Sequence, residues 1–436
     1  MDPEAAASSA RRIDPGTGPW PSGEPEAADG PGNPALQEWV DAGLEAPDID
    51  AIRRWRVARL RAELARRELA GIVLLDPINI RYATDSTNMQ VFCMHNMVRY
   101  AWVAADGPVV LFDFPGCEHL ASGLDHVDEV RPAAPLSYFD AGARQAEFLR
   151  HWAAEIAALA RRTGGGSRIA VDRTPPGGES ALAAHGLEAV AGYAPCEHAR
   201  SVKHPEEIKA MRRSIHAAET GIRRMWQALV PGHTTENELW SWLHQANIAR
   251  GGEWIETRLL ASGPRTNPWF QECSDRVIRP GDLVSFDTDL VGPYGYCADI
   301  SRAWVAGGAP TAHQRELHRV ALEHVNENAR LLRPGATFRE ISERSHRLPP
   351  DCRANRYACL LHGIGLCDEY PAVRYPEDWD SSGYDGVLEP GMTVCVEAYV
   401  GPQGGREGVK LERQALITDD GPEFLDRFPL GLVPSG

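Results

Sequence analysis

Apolar positions in the first half of the chain fall into short runs separated by helical stretches. Ile52 to Leu69, dense in Arg, Leu and Ala, predicts a helix, and Gly71-Ile72-Val73-Leu74-Leu75-Asp76 is an apolar run of strand length. Short strands are expected at Ala101–Ala104 and Val109–Phe112, a helix over Gln145–Arg161 and a strand at Arg168–Asp172. Alternating strands and helices predict an α/β domain. Lys203-His204-Pro205-Glu206-Glu207 then opens a long helix, with proline in its first turn and acids beside the positive end of the helix dipole. The predicted organisation is an irregular arm over 1–36, an α/β domain over 37–200 and a second domain over 201–436. The arm is rich in Pro, Gly, Ala and acids, and Trp20 is its exception, a residue costly to leave wet.

The second half repeats itself. Leu229-Val230-Pro231-Gly232-His233-Thr234 joins two helical stretches, and Leu332-Arg333-Pro334-Gly335-Ala336-Thr337 does the same about a hundred residues later. Pro280-Gly281 leads to Asp287, six residues past its glycine, and Pro390-Gly391 leads to Glu397, also six past its glycine. Two such pairs in the same order predict a duplicated unit that places one acid per copy in a pseudo-symmetric site.

Composition narrows the function. Lys and Arg number 45 against 61 Asp and Glu, a net charge of −16, which argues against nucleic acid or an anionic membrane as partner. No apolar run is long enough to span a bilayer, the start Met1-Asp2-Pro3-Glu4 has no signal-peptide character, and nine scattered cysteines form no CxxC pair. A cytoplasmic, reduced protein is the expectation.

The chemistry gathers in Asp287, Asp289, Asp299, His362, Glu397 and Glu412. Several stand in strand-like text, where acids are rare because a buried charge is costly unless paired or bound to a cation. Asp287 and Asp289, two apart in an expected strand, would face the same side. Gly292-Pro293-Tyr294-Gly295 reads as a hairpin turn returning Asp299 to their level. Taken singly, each acid is as well explained by a salt bridge to Arg302, Arg406 or Arg413. Taken together, five carboxylates and one imidazole suit a pair of divalent first-row metals.

From about Pro205 onward the chain resembles the pita-bread superfamily of prolidases, aminopeptidases P, methionine aminopeptidases and creatinases. Gly295-Tyr296-Cys297-Ala298-Asp299-Ile300-Ser301-Arg302 is similar to that family's GYxxDxTR stretch, and residues 40–200 resemble the creatinase-type N-terminal domain. The resemblance implies an α/β (α+β) fold: a creatinase-like N-terminal domain followed by a pseudo-symmetric pita-bread domain whose six residues hold two metals. Three departures set the chain apart from the family's peptidases. The first two aspartates sit twelve or ten residues before Asp299 rather than eleven. Ser262-Gly263-Pro264-Arg265-Thr266-Asn267 leads to Pro268-Trp269-Phe270, with no substrate histidine. The block His362-Gly363-Ile364-Gly365-Leu366-Cys367-Asp368-Glu369-Tyr370-Pro371 is one residue shorter than its peptidase counterpart and carries acids where that block has its second histidine.

These departures resemble one branch, the dimethylsulfoniopropionate (DMSP) lyases of the DddP type. That resemblance implies a homodimer with a dinuclear centre, iron foremost and manganese, zinc or cobalt as alternatives, cleaving DMSP to dimethyl sulfide and acrylate. Such an elimination needs a base for the proton next to the carboxylate, a Lewis acid for the charge that develops, and aromatic faces for the sulfonium. Asp368 is the candidate base, with Tyr357 beside it as a candidate catalytic residue, and Trp20, Trp269, Phe270 and Tyr357 are the candidate substrate contacts. Tyr296 reads as structural. The alternatives are an Xaa-Pro dipeptidase or aminopeptidase and a creatinase-like hydrolase of a small cationic acid.

Overall fold

The computed structural model describes residues 34–163 and 166–433. Two compact units emerge, one from Asp48–Arg200 and one that joins Pro34–Pro47 to Ser201 onward. The first is an α/β unit around a six-stranded sheet, in the order Glu129–Pro132, Val109–Asp113, Tyr100–Ala104, Gly71–Leu74, Arg168–Val171, Glu188–Ala191. Gly71–Leu74 pairs antiparallel with Tyr100–Ala104 and parallel with Arg168–Val171, so the sheet is mixed. The helix Gln145–Arg162 buries Trp152, Ile156 and Leu159 on the same core as Val73, Trp102 and Phe112. The helix predicted from Ile52 begins earlier, at Ile49, because the Asp48 carboxylate accepts from the Ala51 N–H and caps it. Arg99, 1% exposed, commits its guanidinium to Asp113 and Ser86, so it braces this unit.

In the second unit the helix Pro34–Asp41 is tied down by Glu38, which takes a bidentate pair from Arg250, and by Trp39, whose ring lies under the Arg213 guanidinium. Pro205–Ala228 is the long helix the sequence predicts, with a capping box between His204 and Glu207. Tyr296 donates to Glu207 at 2.6 Å, buried and structural as read.

The duplication is visible in single hydrogen bonds. Gly232 N donates to Ile278 O at 2.7 Å and Gly335 N donates to Leu388 O at 2.8 Å, the same bond in each copy between its two Pro-Gly turns. All four of these glycines (Gly232, Gly281, Gly335 and Gly391) have φ between 77° and 88°, which side chains resist. Gly232→Ala and Gly335→Ala are each expected to lower stability by about 1–2 kcal/mol, measured as a shift in the urea midpoint at unchanged slope. Equal midpoints for either variant and wild type would contradict that cost.

Five strands form the main antiparallel sheet of this unit, in the order Asp368–Val373, Leu361–Ile364, Thr393–Val400, Val409–Thr418, Gly421–Phe424. Two three-stranded sheets hold the other copy's acids. Leu283–Phe286 pairs with Arg302–Val305, and Leu290–Val291 pairs with Cys297–Ala298. The expectation that Asp287 and Asp289 lie within one strand is corrected here. The chain leaves one sheet after Phe286 and joins the other at Leu290, and Asp289 takes a left-handed φ of 37° between them. A break of this kind frees the acids from the strict alternation of a ladder. The hairpin through Pro293–Gly295 does return Asp299, as the turn residues imply.

Candidate metal centre

Glu397 and Glu412 are direct cross-strand partners in the main sheet, and both are completely buried. Like charges directly opposite each other destabilise a sheet, so this pairing calls for a cation between them. His362, on the neighbouring strand Leu361–Ile364, supplies the imidazole. Its Nε2 lies 3.3 Å from Glu412 Oε1, 3.7 Å from Glu397 Oε1 and 3.7 Å from Asp299 Oδ2. Ligand atoms of Asp299, His362, Cys395 and Glu412 all fall within 4.8 Å of one another, as do those of Asp287, Asp289 and Asp299. All six predicted ligands are therefore brought to one place.

The electrostatics point the same way. Burial and the charge of Glu412 push the Asp287 carboxyl up. Burial and neighbouring acids push Asp289 and Asp299 well up, and burial, with Glu412 adding to it, takes Glu397 to about 7. So many buried carboxylates cannot all ionise together without cations, and hard oxygen donors with one imidazole are what divalent first-row metals take. The residues fit a dinuclear metal site. The salt-bridge alternative fails for two of its three arginines: Arg302 and Arg413 both pair with Asp426.

Two residues that the sequence reading passed over complete the cluster. Lys410 is fully buried, with Nζ 2.8 Å from Asp287 Oδ2, Glu397 Oε2 and Glu412 Oε2. Ser301 Oγ lies 2.5 Å from Asp287 Oδ1 and 2.8 Å from Glu412 Oε2. A signal existed for the lysine: it stands two residues before Glu412 in a strand, hence on the same face.

Asp368 opens the strand Asp368–Val373 beside the cluster, its Oδ1 3.6 Å from His362 Nδ1. Its carboxyl is 57% exposed yet crowded by protein. That crowding pushes its pKa up, with Glu412 adding to it and His362 and Lys410 opposing. The next residue, Glu369, is buried and paired with Lys203, which anchors the strand carrying Asp368. Tyr357 stacks on Phe270 with ring centroids 5.3 Å apart, and the Lys410 ammonium sits 4.3 Å from its centroid. Phe270 is 57% exposed. Trp269 is buried against Tyr399 and Leu259, in a cluster on which Tyr357 packs. Trp20 lies outside the described residues.

This chain has relatives that match it along nearly its whole length. It is 46% identical over 433 residues to a dimethylsulfoniopropionate lyase DddP of Roseovarius nubinhibens, covering 97% of each chain. The chain belongs to the DddP lyase family. The family's Roseobacter denitrificans member is likewise 46% identical, over 92% of this chain and 91% of its own. Residues 209–419 match metallopeptidase family M24. Among solved structures, an Xaa-Pro dipeptidase from Bacillus anthracis covers 87% of this chain and 98% of its own with a TM-score of 0.69 at 22% identity, which shows the shared pita-bread fold. No helix among the described residues is long and apolar enough to cross a membrane.

Proposed function

We propose that this protein is a metal-dependent carbon–sulfur lyase that cleaves DMSP to dimethyl sulfide and acrylate by base-assisted β-elimination. The observation that carries the reading is the 46% identity running through 97% of both this chain and a DMSP lyase. The acid at 368, where the superfamily's peptidases are expected to carry a histidine, is in keeping with it.

Asp368 takes a proton from the carbon next to the substrate carboxylate. The electrons of that C–H bond form the new carbon–carbon double bond, and those of the C–S bond leave on sulfur as neutral dimethyl sulfide. A carboxyl with a raised pKa that is still open to solvent suits a base that must accept and release a proton each turnover. Asp287, Asp289, Asp299, His362, Glu397 and Glu412 would hold two divalent ions, iron foremost, which supply Lewis-acid stabilisation of the charge developing at the substrate carboxylate. Phe270 and Tyr357 offer the sulfonium aromatic faces, with Trp269 packed behind them. A cytoplasmic homodimer belongs to the same reading.

The test is headspace gas chromatography of purified, metal-analysed protein mixed with DMSP. Dimethyl sulfide and acrylate in equal amounts are expected. Protein holding two metals per chain that releases neither would overturn the lyase, and hydrolysis of an Xaa-Pro dipeptide by the same sample would establish the M24 peptidase reading, which the match over 209–419 favours.

A further inference from the structure

Glu256 stands at the edge of the centre with no partner of opposite charge among the described residues. It directly follows the short strand Trp254–Ile255, which pairs with Leu290–Val291. Its backbone N–H donates to Asp289 O at 2.9 Å, and the hydroxyl of the next residue, Thr257, bonds the Asp289 carboxylate. Glu256 is therefore fixed against a metal ligand through its backbone, and its carboxylate takes no part in that bond.

The side chain is exposed yet crowded by protein, with Asp368 as its charged neighbour. Crowding and the charge of Asp368 both work against the ionised form, and no cation among the described residues offsets them. The acids around it are answered: Lys410 pairs with Asp287, Glu397 and Glu412, and His362 with Asp368. Two carboxylates thus neighbour each other at the open edge of the centre, and one lacks a counter-charge. Such an acid is a solvated surface residue unless a cation visits it.

The substrate of the proposed function brings one. DMSP carries a carboxylate at one end and a sulfonium at the other. With the carboxylate directed at the metals and Asp368 at the carbon beside it, the sulfonium lies one carbon further along. That is within reach of an acid neighbouring Asp368, and opposite charges close together in a partly dry site attract strongly.

We propose that Glu256 is a specificity-determining residue, the carboxylate that holds the sulfonium of the substrate. The inference rests on the lyase reading. Its attraction fades as the C–S bond breaks, because sulfur takes the electron pair and leaves as neutral dimethyl sulfide. Glu256 therefore acts on substrate binding rather than on the chemical step, and it favours a cationic substrate over a neutral one of the same shape.

The experiment compares wild type, Glu256→Gln and Glu256→Asp at full metal occupancy by headspace kinetics with DMSP. Two competitors are added in turn: 3-(trimethylammonio)propionate, which is cationic at the sulfonium position, and its neutral counterpart 4,4-dimethylpentanoate. In Glu256→Gln the KM for DMSP and the inhibition constant of the cationic competitor should both rise by about 10–100-fold. Its kcat and the constant of the neutral competitor should change little. Glu256→Asp, which keeps the charge, should lie nearer wild type. Wild type that binds the two competitors equally would overturn the proposal whether or not the variants fold. Equal weakening of both competitors in Glu256→Gln would make the residue a packing element and overturn it too. A wild type that releases no dimethyl sulfide would remove the lyase reading and this inference with it. Dimethyl sulfide from wild type beside an unchanged KM in folded Glu256→Gln would remove the inference alone.

Discussion

Asp368→Ala is expected to slow dimethyl sulfide release by about 10²–10⁴-fold, the contribution of a positioned general base, with metal content unchanged. The residue lies beside the cluster, its Oδ1 3.6 Å from His362 Nδ1, and it is the more exposed of the two by a wide margin. Removing it takes away the proton acceptor and leaves the six ligands in place. The wild-type rate should also fall as pH drops. Crowding of its carboxyl by protein and the charge of Glu412 raise the Asp368 pKa, so its basic form is lost at a higher pH than for an ordinary carboxylate. A variant retaining more than a tenth of wild-type activity at full metal occupancy would remove Asp368 from that role. Loss of metal together with activity would make it a ligand instead.

Glu397→Gln is expected to strip metal from the centre and cost at least about a hundredfold in activity, because the substrate charge then lacks its Lewis acid. The same change should have the opposite effect on the metal-free fold. Burial raises the Glu397 pKa from 4.5 to about 7, so the folded state binds a proton that the unfolded chain has already lost. Stripped wild-type protein should therefore lose stability as pH rises from about 4.5 through about 7. The glutamine, which has no charge to bury, should show a smaller loss, the remainder coming from the raised carboxyls of Asp287, Asp289 and Asp299. Thermal melts of chelated wild type and variant at pH 5 and pH 8 check this. A Glu397→Gln protein that keeps two metals, or that shows the wild-type pH dependence when stripped, would contradict the assignment.

The acid cluster was readable because five carboxylates gathered in apolar strand text with one histidine are a set of residue types that little else than a cation explains. Acids at Glu397 and Glu412 interrupt apolar strand text, and the paired Pro-Gly turns show that Asp287 and Glu397 occupy matching positions. The left-handed φ at all four glycines is the physical cause of that repeat, since only a residue without a Cβ takes the turn cheaply. Lys410 was not readable in the same way. A lysine in a strand is usually a solvated edge residue, and its one signal, the two-residue spacing from Glu412, puts it on the acid's face without saying which face is buried. Its role follows from the register that sets Lys410 opposite Tyr399 and Glu412 opposite Glu397. The aromatic candidates divide for a similar reason: Phe270 and Trp269 are adjacent in the chain, yet one is 57% exposed and the other 6%.

By itself, the sequence determined which chemistry is available: the alternation of elements, the duplication, the metal-binding residue types and the absence of the peptidase histidines. Those are carried by residue identity and spacing, which local propensity and covalent geometry translate directly into structure. Only the tertiary structure decided which charges face one another. The change of sheet between Phe286 and Leu290, the cross-strand meeting of Glu397 with Glu412 and the burial of Lys410 among three carboxylates all depend on contacts between residues far apart in the chain. Coulomb interactions act through space, so their partners are set by the packing of strands rather than by order along them.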